Sequence, residues 1–103
     1  MKTDRKIPSN TDLERLTELY RAMGDVTRIK ILCLLLYGEL CVSELSDILN
    51  FNDSAVSHHL KTLRSARLVK SRRSGKNIFY QLNDTHIKWI LTQTLAHISE
   101  KES

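Results

Sequence analysis

Asp84, His86, His97 and Glu100 are the residues whose types and spacing could do chemistry. Two imidazoles and two carboxylates suit four-coordinate Zn²⁺, with Co²⁺, Ni²⁺ and Cd²⁺ as alternatives. They punctuate the stretch 84–100, DTHIKWILTQTLAHISE. Its apolar residues Ile87, Ile90, Leu91, Leu95 and Ile98 recur at helical spacing, and Asp84 is placed to cap the helix. His97 follows His86 by eleven residues, so the rings return to within roughly 20° of one azimuth but lie about 16 Å apart along the axis. Glu100, one turn beyond His97, falls on the same side. One ion cannot bridge that gap. The spacing predicts two half-sites, Asp84 with His86 and His97 with Glu100. A second copy of the helix, antiparallel across a two-fold axis, would set each start against its partner's end and close two equivalent sites. The competing reading of the same residues is a solvated polar flank on an amphipathic helix.

The rest of the chain must position that helix. Its 103 residues are 41% hydrophobic and make one small domain with a limited core of its own, which dimerisation would extend. Residues 1–10 are polar, contain the only proline and read as a flexible arm ahead of a domain at 11–103. Thr11 and Glu14 form a capping box for a first helix whose stripe is Leu13, Leu16, Tyr20 and Met23. Asp25 caps a second helix, 26 to about 37, with Ile29, Leu32, Cys33 and Leu36 facing inward. A third spans 42–50. After Asn50-Phe51-Asn52-Asp53, Asp53 or Ser54 caps a fourth, reaching about residue 66. Then the period changes. The segments 68–72 and 78–82 are β-rich and flank Ser74-Gly75-Lys76-Asn77, a hairpin tip. The expected fold class is α+β, mostly helical, with a two-stranded hairpin.

Charge distribution suggests the partner. The formal charge is +4, and no Asp or Glu occurs from Ser54 to Asn83, where Lys61, Arg64, Arg67, Lys70, Arg72, Arg73 and Lys76 lie. A basic block of this kind suits a polyanion, although ordinary solvated charge would also produce it. The third and fourth helices, joined by a tight turn, form a helix-turn-helix candidate. Val56, Leu60 and Leu63 fall on one side of the fourth. Ser54, Ser57, His58, Lys61 and Ser65 fall on the other, where hydroxyls, an imidazole and a cation suit the major groove. His59 lies near the apolar face, as a structural histidine would. Arg72, Arg73 and Lys76 give the hairpin a cationic tip that can reach phosphates, as a wing does.

These stretches together resemble the ArsR/SmtB family of winged-helix metal-sensing repressors. The resemblance runs from about Leu13 to Glu100. It is carried by AMGDVTRIKIL at 22–32, ELCVSEL at 39–45, SAVSHHLKTL at 54–63 and RRSGKNIFYQL at 72–82. The final D-x-H and H-x-x-E pairs resemble the zinc-sensing subgroup. The resemblance implies a homodimer through the first and last helices. It implies repression from an inverted-repeat operator in double-stranded DNA, release on metal binding, and control of metal efflux or sequestration genes. It makes Ser54, Ser57 and His58 groove contacts. Asp53 sets an acid near the phosphates at the preceding position.

The thiols depart from the family's soft-metal sensors. Those use a second Cys where this chain has Ser43, and often more in the arm, which here has none. Cys41 alone offers too few soft ligands. The reading preferred is a buried Cys41 and a core Cys33. Two alternatives remain: a thiol-based redox or soft-metal sensing repressor using Cys33 and Cys41, and a zinc-binding interaction module without an operator. No Ser/His/Asp or Cys/His set supports an enzyme, and a metal filled by four protein ligands leaves no open position. No apolar run is long enough to span a membrane and no secretory signal is visible, so the expected location is cytoplasmic.

Overall fold

The computed structural model describes residues 4–100. Its elements are α1 (Asn10–Met23), α2 (Val26–Leu35), β1 (Leu40–Cys41), α3 (Val42–Leu49), α4 (Asp53–Ser65), β2 (Val69–Ser74), β3 (Asn77–Leu82) and α5 (Thr85–Ser99). The strands form one antiparallel sheet in the order β1-β3-β2. This is the expected α+β winged helix-turn-helix, with one addition. The dipeptide β1 pairs with β3 through Leu40↔Tyr80 and Cys41↔Phe79, making the sheet three-stranded and fastening the wing to the start of α3. Two residues carry no period, so β1 leaves no signal in the sequence.

Short polar side chains set most helix starts, though not always the expected ones. Ser9, not Thr11, caps α1, its hydroxyl accepting from the Asp12 amide at 3.2 Å. Asn52, not Asp53 or Ser54, caps α4, accepting from the Ala55 amide at 2.8 Å. In both places several capping residues stand in a row, and the backbone can use one. Asp25 caps α2 as expected. Asn50 closes α3 in the left-handed conformation, which Asn tolerates, and so makes the turn into α4. The wing turns at Gly75-Lys76, with Gly75 at φ +62°. Of the expected arm, residues 1–3 lie outside the described residues. Residues 4–9 form no helix or strand.

The core is built on α4. Val56, Leu60 and Leu63 are fully buried and pack with Ile31, Leu32, Leu35, Leu45, Leu68 and Val69. On α2 the buried residues are Ile31, Leu32 and Leu35; of the expected stripe Leu32 is among them, and Ile29 and Leu36 pack half-buried against the core. This helix is apolar nearly all round, so its inward side is not legible from its period. Cys33 is half-buried. The α1 stripe also divides: Leu19, Ala22 and Met23 meet the core, while Leu16 and Tyr20 are exposed. On α5 only Ile87 and Leu91 are buried, and every residue from Thr92 to Ser99 is exposed, including Leu95 and Ile98. The radius of gyration is 16.2 Å, against about 13 Å for a compact chain of this length. The excess reflects an elongated shape, with extents of 61 × 40 × 21 Å.

Ser46 is buried on α3, and its hydroxyl has no hydrogen-bond partner. Ser46→Ala is expected to raise the unfolding free energy by about 1 kcal/mol, by removing an unsatisfied group and improving helix propensity. Leu60→Ala, at the centre of the core, is expected to lower it by about 2–5 kcal/mol. Urea unfolding at fixed protein concentration checks both.

Candidate nucleic-acid interface and metal ligands

Burying Val56, Leu60 and Leu63 fixes the rotation of α4. Ser54, Ser57, His58, Lys61, Arg64 and Ser65 are thereby turned to solvent. The expected groove-facing stripe is therefore presented on one surface. His59 is half-buried and takes a structural part. Arg28 on α2 donates through Nε to the Ala22 carbonyl at 2.6 Å, and its Nη1 lies 3.5 Å from His59 Nδ1. A guanidinium can only donate, so His59 Nδ1 is the acceptor in that contact. Arg28 thus ties the α1–α2 junction to α4, a role sequence reasoning missed. Asp25 lies in the same neighbourhood. Its carboxyl is held below the usual range, first by the Arg28 amide and further by the Arg28 charge.

The wing cations are not equivalent. Arg73 and Lys76 are exposed and make no ion pair among the described residues. Arg72 lies within β2, not at the tip, and is engaged. Its Nε donates to Glu39 Oε2 at 2.9 Å, its Nη2 to Glu39 Oε1, and its guanidinium stacks 5.1 Å above the Phe79 ring. The pairing lowers the Glu39 pKa and raises that of Arg72. Glu39 immediately precedes β1, so this bidentate pair crosses the sheet and steadies the wing against the helix-turn-helix. Nothing in the local sequence joins positions 39 and 72.

At the other surface, the expected metal ligands sit at the two ends of α5. Asp84 caps the helix: Oδ1 accepts the Ile87 amide at 3.1 Å, and Oδ2 accepts from Asn83 Nδ2 at 3.2 Å. The Ile87 amide is the main cause of a lowered Asp84 pKa, so the carboxylate is ionised at neutral pH. His86 Nδ1 lies 3.5 Å from Asp84 Oδ1. Two ligands 2.0–2.1 Å from a tetrahedral ion are about 3.3 Å apart, so this pair already stands at ligand spacing. His97 is exposed in the last turn. Glu100 follows the end of α5 as its C-cap in extended backbone, not one helical turn further along. Among the described residues no three His, Cys, Asp or Glu side chains converge within one chain. That is the consequence of placing the pairs at opposite ends of a fifteen-residue helix.

The two thiols offer no comparable site. Cys41 is buried at the α3 N-cap, with Sγ 3.2 Å from Ser43 Oγ. Burial raises the Cys33 pKa, which suppresses the reactive thiolate.

The α4 surface, the turn before it and the cationic wing define a winged helix-turn-helix domain. Residues 25–71 match the bacterial regulatory protein, arsR family. The chain is 35% identical over 97 residues to a transcriptional repressor SmtB homolog of Synechocystis sp., spanning 94% of this chain and 74% of that protein. It is 36% identical over 87 residues to a cadmium resistance transcriptional regulatory protein CadC homolog of Staphylococcus aureus, spanning 84% and 72%. The structure superposes, with a TM-score of 0.82, on a homodimeric winged helix-turn-helix DNA-binding domain from Mycobacterium bovis. That likeness is 25% in sequence and covers 98% of this chain and 93% of the other. The chain belongs to the arsR family. It is a transcriptional regulator and not an enzyme. No described helix is long and apolar enough to cross a membrane.

The inequality of the wing cations can be measured. Arg73→Gln or Lys76→Gln should each reduce the steepness with which DNA affinity falls with salt, by about 0.9 for each phosphate that is no longer neutralised. Arg72→Gln should reduce it less, because its guanidinium is committed to Glu39. Fluorescence anisotropy across a salt series separates the three.

Proposed function

We propose that this chain is a metal-responsive repressor that acts as a homodimer. In the apo state it holds operator DNA, and it leaves the DNA when Zn²⁺ or a similar divalent ion occupies two sites between subunits. Each site takes Asp84 and His86 from one chain and His97 and Glu100 from the other. The observation that carries this reading is the spacing of Asp84 and His86. Two donors of the right kind stand at ligand distance at the start of a helix, and His97 and Glu100 lie at its far end.

The apolar surfaces support the dimer. Leu16 and Tyr20 on α1, and Trp89, Leu95 and Ile98 on α5, are exposed in a single chain. Two turns of α5 without any neighbour would fray in isolation. Pairing α1 and α5 with their copies, α5 antiparallel to its partner, would cover part of this apolar surface. A bound metal would supply a cross-link between the two α5 helices. Asn83, beside Asp84, donates its amide to the Leu68 carbonyl at 3.0 Å, and the Leu68 amide caps α4 through the Leu63 carbonyl at 2.9 Å. The start of α5 is thus two backbone hydrogen bonds from the end of the recognition helix. A shift of α5 against its partner alters the separation of the two α4 helices, and an inverted repeat accepts one separation.

The thiol-sensing alternative is disfavoured by the burial of Cys41 and the raised pKa of Cys33. The non-DNA module is disfavoured by the exposed stripe of hydroxyls, imidazole and cation on α4 from Ser54 to Ser65.

A mixed heterodimer tests the reading. One chain carries Asp84→Ala and His86→Ala, and the other His97→Ala and Glu100→Ala. Each mutant homodimer should bind DNA and ignore zinc, because both of its sites are broken. The heterodimer should recover one tight site, and zinc should weaken its DNA binding by about 1–3 kcal/mol or somewhat less. If no tight site returns, the ligands do not meet across the interface. If zinc binds tightly while DNA affinity is unchanged, the site is structural. Within the DNA surface, Ser57→Ala and His58→Ala should weaken specific binding more than non-specific binding.

A further inference from the structure

Between α1 and α4 lies a cleft of about 380 Å³ that neither the helix-turn-helix nor the wing accounts for. Its walls include Glu18 and Arg21 of α1, Arg28 of α2, and His58, Lys61 and Ser65 of α4. Arg28 is fixed there by the Ala22 carbonyl and His59. Arg21 and Lys61 are exposed and have no ion-pair or hydrogen-bond partner for their side chains among the described residues. Three cations and an imidazole thus surround one carboxylate.

The position of the cleft along α4 selects its occupant. His58, Lys61 and Ser65 continue the stripe that begins at Ser54 and Ser57. A thirteen-residue helix is about 20 Å long, whereas the major groove is about 12 Å wide. A helix that enters the groove by its N-terminal half therefore carries its C-terminal half past the groove wall, where the phosphates run. At that point α1 stands beside α4 with Arg21 facing the same space.

We propose that this cleft seats a backbone phosphate of the DNA strand flanking the major groove, held between Arg21 of α1 and Lys61 of α4. Arg28 supplies a fixed positive charge behind it. Glu18 opposes the phosphate and keeps the contact weak. The proposal rests on the DNA-binding reading above and extends the interface onto a helix that also faces the dimer. Because phosphate contacts carry no base information, the cleft sets the seating of each subunit on the duplex and not its sequence preference.

The test measures affinity for a mixed-sequence duplex of about 30 base pairs over a salt series, with dimer mass and melting temperature checked on the same samples. Arg21→Gln should leave one phosphate per chain without its cation. The log–log salt slope of the dimer should become shallower by about 1.8, with affinity falling on the order of tenfold. Arg21→Lys should restore the slope, which a merely structural arginine would not do. Glu18→Gln should raise the affinity. A wild-type slope in Arg21→Gln would overturn the proposal, and would also be the result if the cleft instead took a small phosphate-bearing solute. An unchanged affinity in Glu18→Gln would place Arg21's phosphate outside the cleft and overturn it as well. Absence of salt-dependent binding by the wild-type chain would sink the DNA reading itself, and this contact with it. Normal wild-type binding with an unaltered Arg21→Gln variant would sink this contact alone.

Discussion

A fifteen-residue helix is about 22 Å long and cannot bring its own ends together. That constraint governs α5 and, through it, the whole molecule. Asp84 and His86 stand at one end at ligand spacing, and His97 and Glu100 at the other. A single chain has two incomplete donor sets, and Trp89, Leu95 and Ile98 of the same helix are exposed. In the proposed dimer, a second copy placed antiparallel along α5 would set unlike ends side by side and complete both donor sets. Stability and metal response would then share one interface.

The opposite side of the molecule obeys a different constraint. Val56, Leu60 and Leu63 are buried to the last atom, so α4 cannot rotate without opening the core. The serines, His58 and Lys61 are presented outward by default. Arg28 locks α4 to the α1–α2 junction from one flank, and the Leu68 carbonyl ties it to the entry of α5 from the other. The wing is steadied by Glu39 and Arg72. The result is a rigid reading head whose position follows its attachments to the dimer helices. In the proposed mechanism these attachments are the route by which a displacement at α5 would reach the DNA surface.

Much of this is legible in the residues alone, for reasons that differ by element. The α5 helix and its Asp84 cap are legible because periodicity and capping are local, whereas Glu100, expected one helical turn beyond His97, falls just past the helix end. The outward stripe of α4 follows from an apolar period of three and four. Where several caps are adjacent, as at Ser9 to Thr11 and Asn52 to Ser54, only the folded backbone selects one. The inward side of α2 is hidden because that helix is apolar nearly all round. The α1 stripe misleads because Leu16 and Tyr20 are apolar without meeting this chain's core. The pairs Glu39–Arg72 and Arg28–His59 are 33 and 31 residues apart and rest on tertiary placement. No local pattern announces them.

The central claim is that metal and DNA act on one equilibrium between two arrangements of the dimer. Linkage then requires the effect to run in both directions by the same factor. The direct measurement is the zinc affinity of the wild-type dimer, by competition with a chelator, alone and saturated with operator DNA. DNA is predicted to weaken zinc binding by the factor with which zinc weakens DNA binding, on the order of 5- to 150-fold. Equal zinc affinities in the free and DNA-bound dimers would contradict it.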